Sequence, residues 1–598
     1  RCTMMHAGTL PLRNPGTVTL DVGAGSTAVW YGVLSATGAG GFVHKQGGGV
    51  LILSNATYNG DVSLFEKNGL TIFDSGAAVY TAGRYHNVGH AAGDVATLTI
   101  RGTGIFTNNG DFNIADVGGT GTLNVQDSAY LRGTTFYVGK AGTGTANLSG
   151  GDTYMNGNAV IGNAAGSVGT INQTGGTLSV GDLRFAVNAT AATTNNLNGG
   201  VQTVRGTQLA RVWQPTNTGS AVMTMNGGTL RAGNNFVISN LTTMAMGANG
   251  GTIDPSNYTV TVNQLISGAG RLIVGGGTGT VYLSGTGTGG LVTNSYTGGT
   301  VVNNGVLRFG TTATIGGTGR NVTENFGGSV ALDDALGPSN LLTRLATSSV
   351  GTIALVSNTE VIVDLRGNAL SNVSVGAIGT VGISGNTITN MGTSYRLGGG
   401  WGTLILSNGI ARNVGTNLIA FGSGSGGILR LLGTNIFDTY TVSGGLVQFA
   451  QTNAMGSLVT ARPVIVNRGS SVSATGAVIA AEFLGRIATG SSGTVALIAN
   501  NTGALNFNTA GLTALSLGAA GGSWTNYGAI TPAAGSYRLG GGGGTLVVTN
   551  INGLTGANTL MAFGGGSGGA LILANTNDYS GGTWIGPTGL VQAATYSL

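Results

Sequence analysis

The stretch TLNVQDSAYLRGTTFYVGKAGTGTANL, Thr122 to Leu148, holds one full period of a repeat. It opens on TLNV and comes round again to TANL at Thr145. The same element stands upstream as TLTI at Thr97 and downstream as TINQ at Thr170, so the starts are spaced by 25, 23 and 25 residues. Gly-Gly pairs begin at Gly150, Gly175, Gly199 and Gly227, and between the successive Thr starts lie FNIADVG from Phe112, FYVGKAG from Phe136 and AVIGNAAG from Ala159. Each unit thus holds two or three short runs of alternating Val, Ile, Leu and Thr, parted by Gly, Asn and Asp turns. Apolar residues recur at every second position, which is the period of a strand and not of a helix. A unit this short cannot bury its own apolar face, but stacked units can, with each strand paired in parallel to its equivalents. The expected fold is all-β: a long, right-handed parallel β-helix (β-solenoid) of about 25 coils. At about 4.8 Å per coil it would extend on the order of 120 Å.

The second half repeats on a longer scale. SYRLGGGWGTLILSN begins at Ser394 and SYRLGGGGGTLVVTN at Ser536; LIAFGSGSGG begins at Leu418 and LMAFGGGSGG at Leu560; GTIALVSN begins at Gly351 and GTVALIAN at Gly493. All three pairs are 142 residues apart, or roughly six coils per module. The expected organisation is an irregular, cap-like β segment at 1–95, short coils at 96–250, a different repeat type at 251–304, and module copies at 305–445 and 446–598.

The different type is carried by LISGAGRLIVGGGTGTVYLSGTGTGGLVTNSYTGGTVVNNGVLRFG, from Leu265 to Gly310. With its GTVYLSG, NSYTGGT and NNGVLRFG segments it resembles the autotransporter-associated β-strand repeat of large bacterial surface proteins. The resemblance covers most of Thr97 to Gln592 and implies an exported, cell-surface or extracellular β-helix. It implies no activity by itself, because such repeats are scaffold. A C-terminal set of membrane strands, each about 10 residues with aromatic girdles, is not read here, so autotransport by this chain alone is not expected.

Composition agrees with a turn-rich, ordered chain. Of 598 residues, 115 are Gly and 8 are Pro, 41% are hydrophobic, and the net charge is +5. Disorder normally needs low hydrophobicity and high net charge, and neither is present. No window approaches 18 consecutive apolar residues, so no transmembrane helix is expected, and RCTMMHAG carries no signal-peptide pattern. The lone Cys2 cannot form an internal disulfide. The pI near 9.3 comes from basic residues scattered singly along the chain, not clustered as nucleic-acid binding requires.

Motifs that would carry chemistry read as structure. Gly298-Gly299 recurs as Gly581-Gly582, while the intermediate copy places Thr439-Tyr440 there, a loss that a surface turn tolerates and a phosphate cradle does not. GTGTGG from Gly285 formally fits a dinucleotide pattern, but no helix follows it. Gly565-Gly566-Ser567-Gly568-Gly569 has the spacing of a nucleophile elbow, yet all four His stand at positions 6, 44, 86 and 90. His86 and His90 have zinc-pair spacing, and Cys2 and His6 lie further upstream. His90, however, shares a turn column with Asp116, Lys140 and Asn163, four dissimilar side chains. The densest acids are Glu324, Asp333, Asp334, Glu360 and Asp364, whose counterparts in the second module copy are Val466, Thr475, Gly476, Thr502 and Asn506. Tyr395-Arg396-Leu397 and Tyr537-Arg538-Leu539 are expected to point Leu inward and Arg outward. Phe421 and Phe563 are expected to be core aromatics at coil corners.

These readings lead to no catalytic, cofactor-binding or metal residues, no cofactor and no enzyme. The expected function is an extracellular structural β-solenoid of a bacterial cell surface, assembling with other copies of itself or adhering to glycan or extracellular matrix. Low charge on a long body removes repulsion between copies, and uncapped coil ends would invite stacking. The alternative is a carbohydrate-binding or polysaccharide-cleaving β-helix, which would need paired carboxylates on neighbouring coils. The segment 1–95, with Trp30, Tyr31 and His44, has no role assigned.

Overall fold

The computed structural model describes residues 3–13, 17–37, 42–60, 63–81, 85–212, 218–287, 290–291, 293–333, 337–358, 362–384, 388–390, 392–408, 410, 416–435, 437–455, 463–474 and 481–594. It is all-β, with parallel strands stacked coil on coil into a β-solenoid of about 22 turns. The few helical pieces are single turns such as Pro338–Leu342 and Ala481–Gly485. The chain divides into two units, Arg1–Val301 with Arg308–Asn321, and Val302–Leu307 with Val322–Leu598.

In the first unit one coil consists of Thr120–Val125, Tyr130–Gly133 and Phe136–Val138. Each strand lies parallel between its equivalents: Thr120–Val125 pairs with Val95–Ile100 below and Thr143–Leu148 above, and Phe136–Val138 with Phe112–Ile114 and Ala159–Ile161. Alternation of exposed and buried residues follows the pleat. Leu98, Leu123, Ala146 and Ile171 therefore form one core column, while Thr97, Thr122, Thr145 and Thr170 form an outward one. The glycine between the two threonines of each TGT is sterically required. A Cβ on Gly144 would stand 2.2 Å from the backbone N of Gly139, where the third strand turns.

The stacking also runs through 1–95, where the sequence shows no repeat. Thr3–Arg13 pairs with Thr27–Thr37, which pairs with both Val50–Leu53 and Thr57–Gly60. Val50–Leu53 in turn pairs with Asn68–Phe73, which pairs with Val95–Ile100. Two strands of the usual coil are fused here into eleven-residue strands, with a single glycine (Gly8 and Gly32) where the later coils carry a turn, so no repeat is visible in the sequence. Coil length also drifts. The steps from Val88 to Ile114 and from Leu209, by way of its register partner, to Ile238 are both longer than any spacing between the Thr97, Thr122, Thr145 and Thr170 starts. Other steps are shorter, such as Val50 to Leu70 and Val260 to Val281, so coil length varies in both directions, and the turns number about 22 instead of about 25.

In the second unit one core column runs Val330, Ile353, Val375, Leu397, Ala420, Val442, Val466. Those six coil steps end six positions before Val472, the residue that the module repeat makes equivalent to Val330. Val472 sits one strand further on and pairs with Val447 in the neighbouring sheet. A module is thus six turns plus one face. Ser394–Leu397 and its copy Ser536–Leu539 lie in different sheets for this reason.

Candidate functional site

The most regular surface is the outward face of Val95–Ile100, Thr120–Val125, Thr143–Leu148, Val168–Gln173, Ala192–Leu197 and Ser220–Met225. None of these residues is charged. Beside the Thr column runs an asparagine ladder in which each amide bonds to the coil before it. Asn124 Nδ2 donates to Thr99 Oγ1 (3.1 Å), Asn147 to Asn124 Oδ1 (3.0 Å), Asn172 to Asn147 (3.0 Å) and Asn196 to Asn172 (2.9 Å). Parallel in-register stacking superimposes like residues, and this is what lets identical amides form a chain.

Charged side chains gather elsewhere in the first unit, around 45–140. Lys45, on the core parity of Val43, is fully buried, and its Nζ donates to the carbonyls of Gly47 (2.7 Å), Gly49 (2.8 Å) and Asn68 (2.6 Å). Burial pushes its ammonium below the usual lysine range. Its register partner is Glu66, also fully buried, whose carboxylate lies 2.8 Å from His86 Nε2. The His86 ring packs edge-on to Phe106 at 4.7 Å and lies 4.8 Å from Phe112. His90 is on the other side of the sheet, stacked on Phe65 at 4.8 Å, with Nδ1 3.3 Å from Asp116 Oδ2. Asp116 also pairs with Lys140 Nζ (2.9 Å) and accepts from Asn87 Nδ2 (3.0 Å).

The i, i+4 histidines therefore diverge, one into the core and one out of it. Among the described residues no three His, Cys, Asp or Glu converge as metal ligands. The dissimilar turn column of His90, Asp116 and Lys140 is an ion cluster of complementary charges. Cys2 lies outside the described residues, and of His6 only the backbone is described.

Gly298 and Gly299 turn the chain tightly over the coil before: a Cβ on Gly298 would stand 2.4 Å from the carbonyl carbon of Gly270, and Gly299 has φ +77°. Gly581 meets Asn558 in the same way, at 2.6 Å. GTGTGG includes 288–289, outside the described residues. Ser567 Oγ accepts from Gly542 N (2.8 Å) and lies 3.2 Å from Thr494 Oγ1. Its counterpart Ser425 does likewise with Gly400 N (3.2 Å) and Thr352 Oγ1 (2.9 Å), while Ser423 sits 2.5 Å from Thr352 Oγ1 and its carbonyl accepts from Gly327 N (2.6 Å). The FGSGSGG and FGGGSGG loops are thus straps laid over the outward side of the strands at Thr352 and Thr494, whose neighbours Ile353 and Val495 face the core, and they join coils 71 to 73 residues apart. Phe421 and Phe563 anchor them as buried rings at φ +57° and +61°. The sequence-level view of a coil corner missed that reach.

The acid cluster disperses. Glu324 is fully buried, with both carboxyl oxygens unpartnered, and desolvation pushes its pKa well up. Asp333 borders a cavity of about 120 Å³ with Leu332, Pro338, Leu341, Leu355 and Ser357. Asp364 is held below the usual carboxylate range by the Gly367 amide (3.0 Å) and the Thr389 hydroxyl, as a turn-capping acid. Asp334 and Glu360 lie outside the described residues. In the shared strands Leu397 and Leu539 are fully buried as expected. Arg538 Nε donates to Thr513 O (2.9 Å), Tyr537 is buried, and Tyr395 is half-buried against Phe437 at 5.7 Å. No helix among the described residues is long and apolar enough to cross a membrane. Family models, curated proteins and solved structures returned no match to this chain.

Proposed function

We propose that this chain is a structural β-solenoid of an extracellular or bacterial outer-surface setting, acting through its long outward columns by associating with other copies of itself and adhering to neighbouring material. The observation that carries this reading is the uncharged outward face of six stacked strands, with threonine in one register column on five of them and asparagine in the next on four. Like surfaces without charge approach one another with no Coulomb penalty. The repeated module supports the same reading from another side. Six turns plus one face show each shared strand, such as Tyr395-Arg396-Leu397 and Tyr537-Arg538-Leu539, in different sheets, which suits contact with a surrounding material better than a single cleft. Electron microscopy of the purified chain at rising concentration tests it. Filaments, sheets or bundles are expected, and separate particles at every concentration would refute self-association.

A further inference from the structure

The uncharged face has a chemistry narrow enough to name its partner. A nucleic acid or an anionic membrane needs Lys or Arg, and none of the six strands carries one. A protein partner of ordinary composition anchors on aromatic and Arg side chains, and this face has neither. What it does have is a strict axial period, with Thr97, Thr122, Thr145, Thr170 and Thr194 in one register column.

A second copy of the same face matches that period by construction. Two such sheets can pack face to face about 10 Å apart with threonines and asparagines interdigitated, as identical strands do in dry zipper interfaces. Covering the asparagines leaves fewer unpaired amides than usual, because each of Asn147 and Asn172 already donates to the previous Asn and accepts from the next. Six strands of six residues offer about 29 Å by about 20 Å, or about 600 Å² a side. Doubled, that is about 1,200 Å², the lower limit of a stable interface, and it predicts weak, concentration-dependent pairing.

We propose that the outward face of the six strands from Val95–Ile100 to Ser220–Met225 is a homotypic interface that takes the same face of a second copy of this chain. The proposal rests on the self-associating reading above and assigns it a surface. Sedimentation velocity of the full chain over a concentration series tests it with three double variants. Thr122→Lys with Thr170→Lys and Thr122→Glu with Thr170→Glu place like charges on the face. Thr203→Lys with Thr252→Lys charges the neighbouring stack of strands instead, at two register positions.

Each face variant alone should raise the concentration at half-association at least about tenfold, since like charges must be buried against each other. An equimolar mixture of the Lys and Glu variants should restore association, a rescue that misfolded protein cannot give. The variant in the neighbouring stack should match the unaltered chain. Association of both face variants at the unaltered concentration would overturn the assignment while leaving self-association standing elsewhere on the molecule. A monomeric unaltered chain at every concentration would overturn both. Absence of rescue in the mixture would overturn the face-to-face geometry.

Discussion

Replacing Glu324 by Val should stabilise the second unit. Glu324 is fully buried with neither carboxyl oxygen partnered, and its Cβ lies where a Cβ on Gly351 would come within 2.5 Å. In the second module copy the same position is Val466, equally buried, and Gly493 packs against it as Gly351 does against Glu324. The backbone frames agree as well: Glu324 N donates to Ser349 Oγ (3.2 Å) and Val466 N to Ser491 Oγ (3.1 Å). Valine therefore already fits this site in this fold. An unpartnered buried carboxyl costs about 1–3 kcal/mol even when neutral, and the smaller side chain returns about 1 kcal/mol of lost packing. The net gain is about 1–2 kcal/mol, a rise of about 2–6 °C in the melting transition of a unit this large.

The pH dependence has a definite sign. Because the folded-state pKa of Glu324 is raised above its ordinary 4.5, the folded unit holds a proton that the unfolded chain releases first. Its contribution is most favourable below 4.5 and is lost as pH rises from there toward the raised value, by about 1.4 kcal/mol per unit. The advantage of Glu324→Val should accordingly widen across that window and be least in acid. Urea and thermal unfolding of the unaltered chain, Glu324→Val and Glu324→Gln at several pH values would show this. A valine variant less stable than the unaltered chain, or a gain that does not change with pH, would refute the reasoning.

Three further outcomes follow from the same physics. Glu66→Gln removes the charge between Lys45 and His86 in a fully buried setting and should cost the first unit about 3 kcal/mol, leaving the second unit's transition in place, as calorimetry would resolve. Asn147→Ala deletes two rungs of the asparagine ladder and should lower stability by about 1–2 kcal/mol in urea titrations, whereas a purely decorative ladder would give no change. Gly298→Ala forces a methyl into the Gly270 backbone and should cost about 1–3 kcal/mol of coil packing; unchanged melting would show that the turn has room that the geometry denies.

What could be read in advance depended on what repeats. The short period from Thr97 and the long period of the second half are written in side chains, so the all-β parallel solenoid follows from stacking them. The phase of the module is not written that way. Whether one module makes six turns or six and one face depends on how much chain each turn consumes, and the step from Val442 to Val466 is longer than the step from Ile353 to Val375. The straps at Ser423 and Ser567 were hidden because glycine-rich loops look alike whether they only turn the chain or fold back over coils further down. Lys45 and Glu66 left a legible signal. Both keep the inward parity of Val43 and Leu64, and in register they face each other, so alternation alone placed opposite charges in the core. Glu324 gave a clue only through its copy, where valine at 466 shows the site to be apolar.

Diffraction from concentrated, shear-aligned protein bears most directly on the central claim that stacked parallel coils build an associating scaffold. The expected pattern is an oriented one with a reflection at about 4.8 Å, the spacing of stacked coils. Absence of that reflection, or a sample that stays isotropic and unassociated at every concentration, would contradict it.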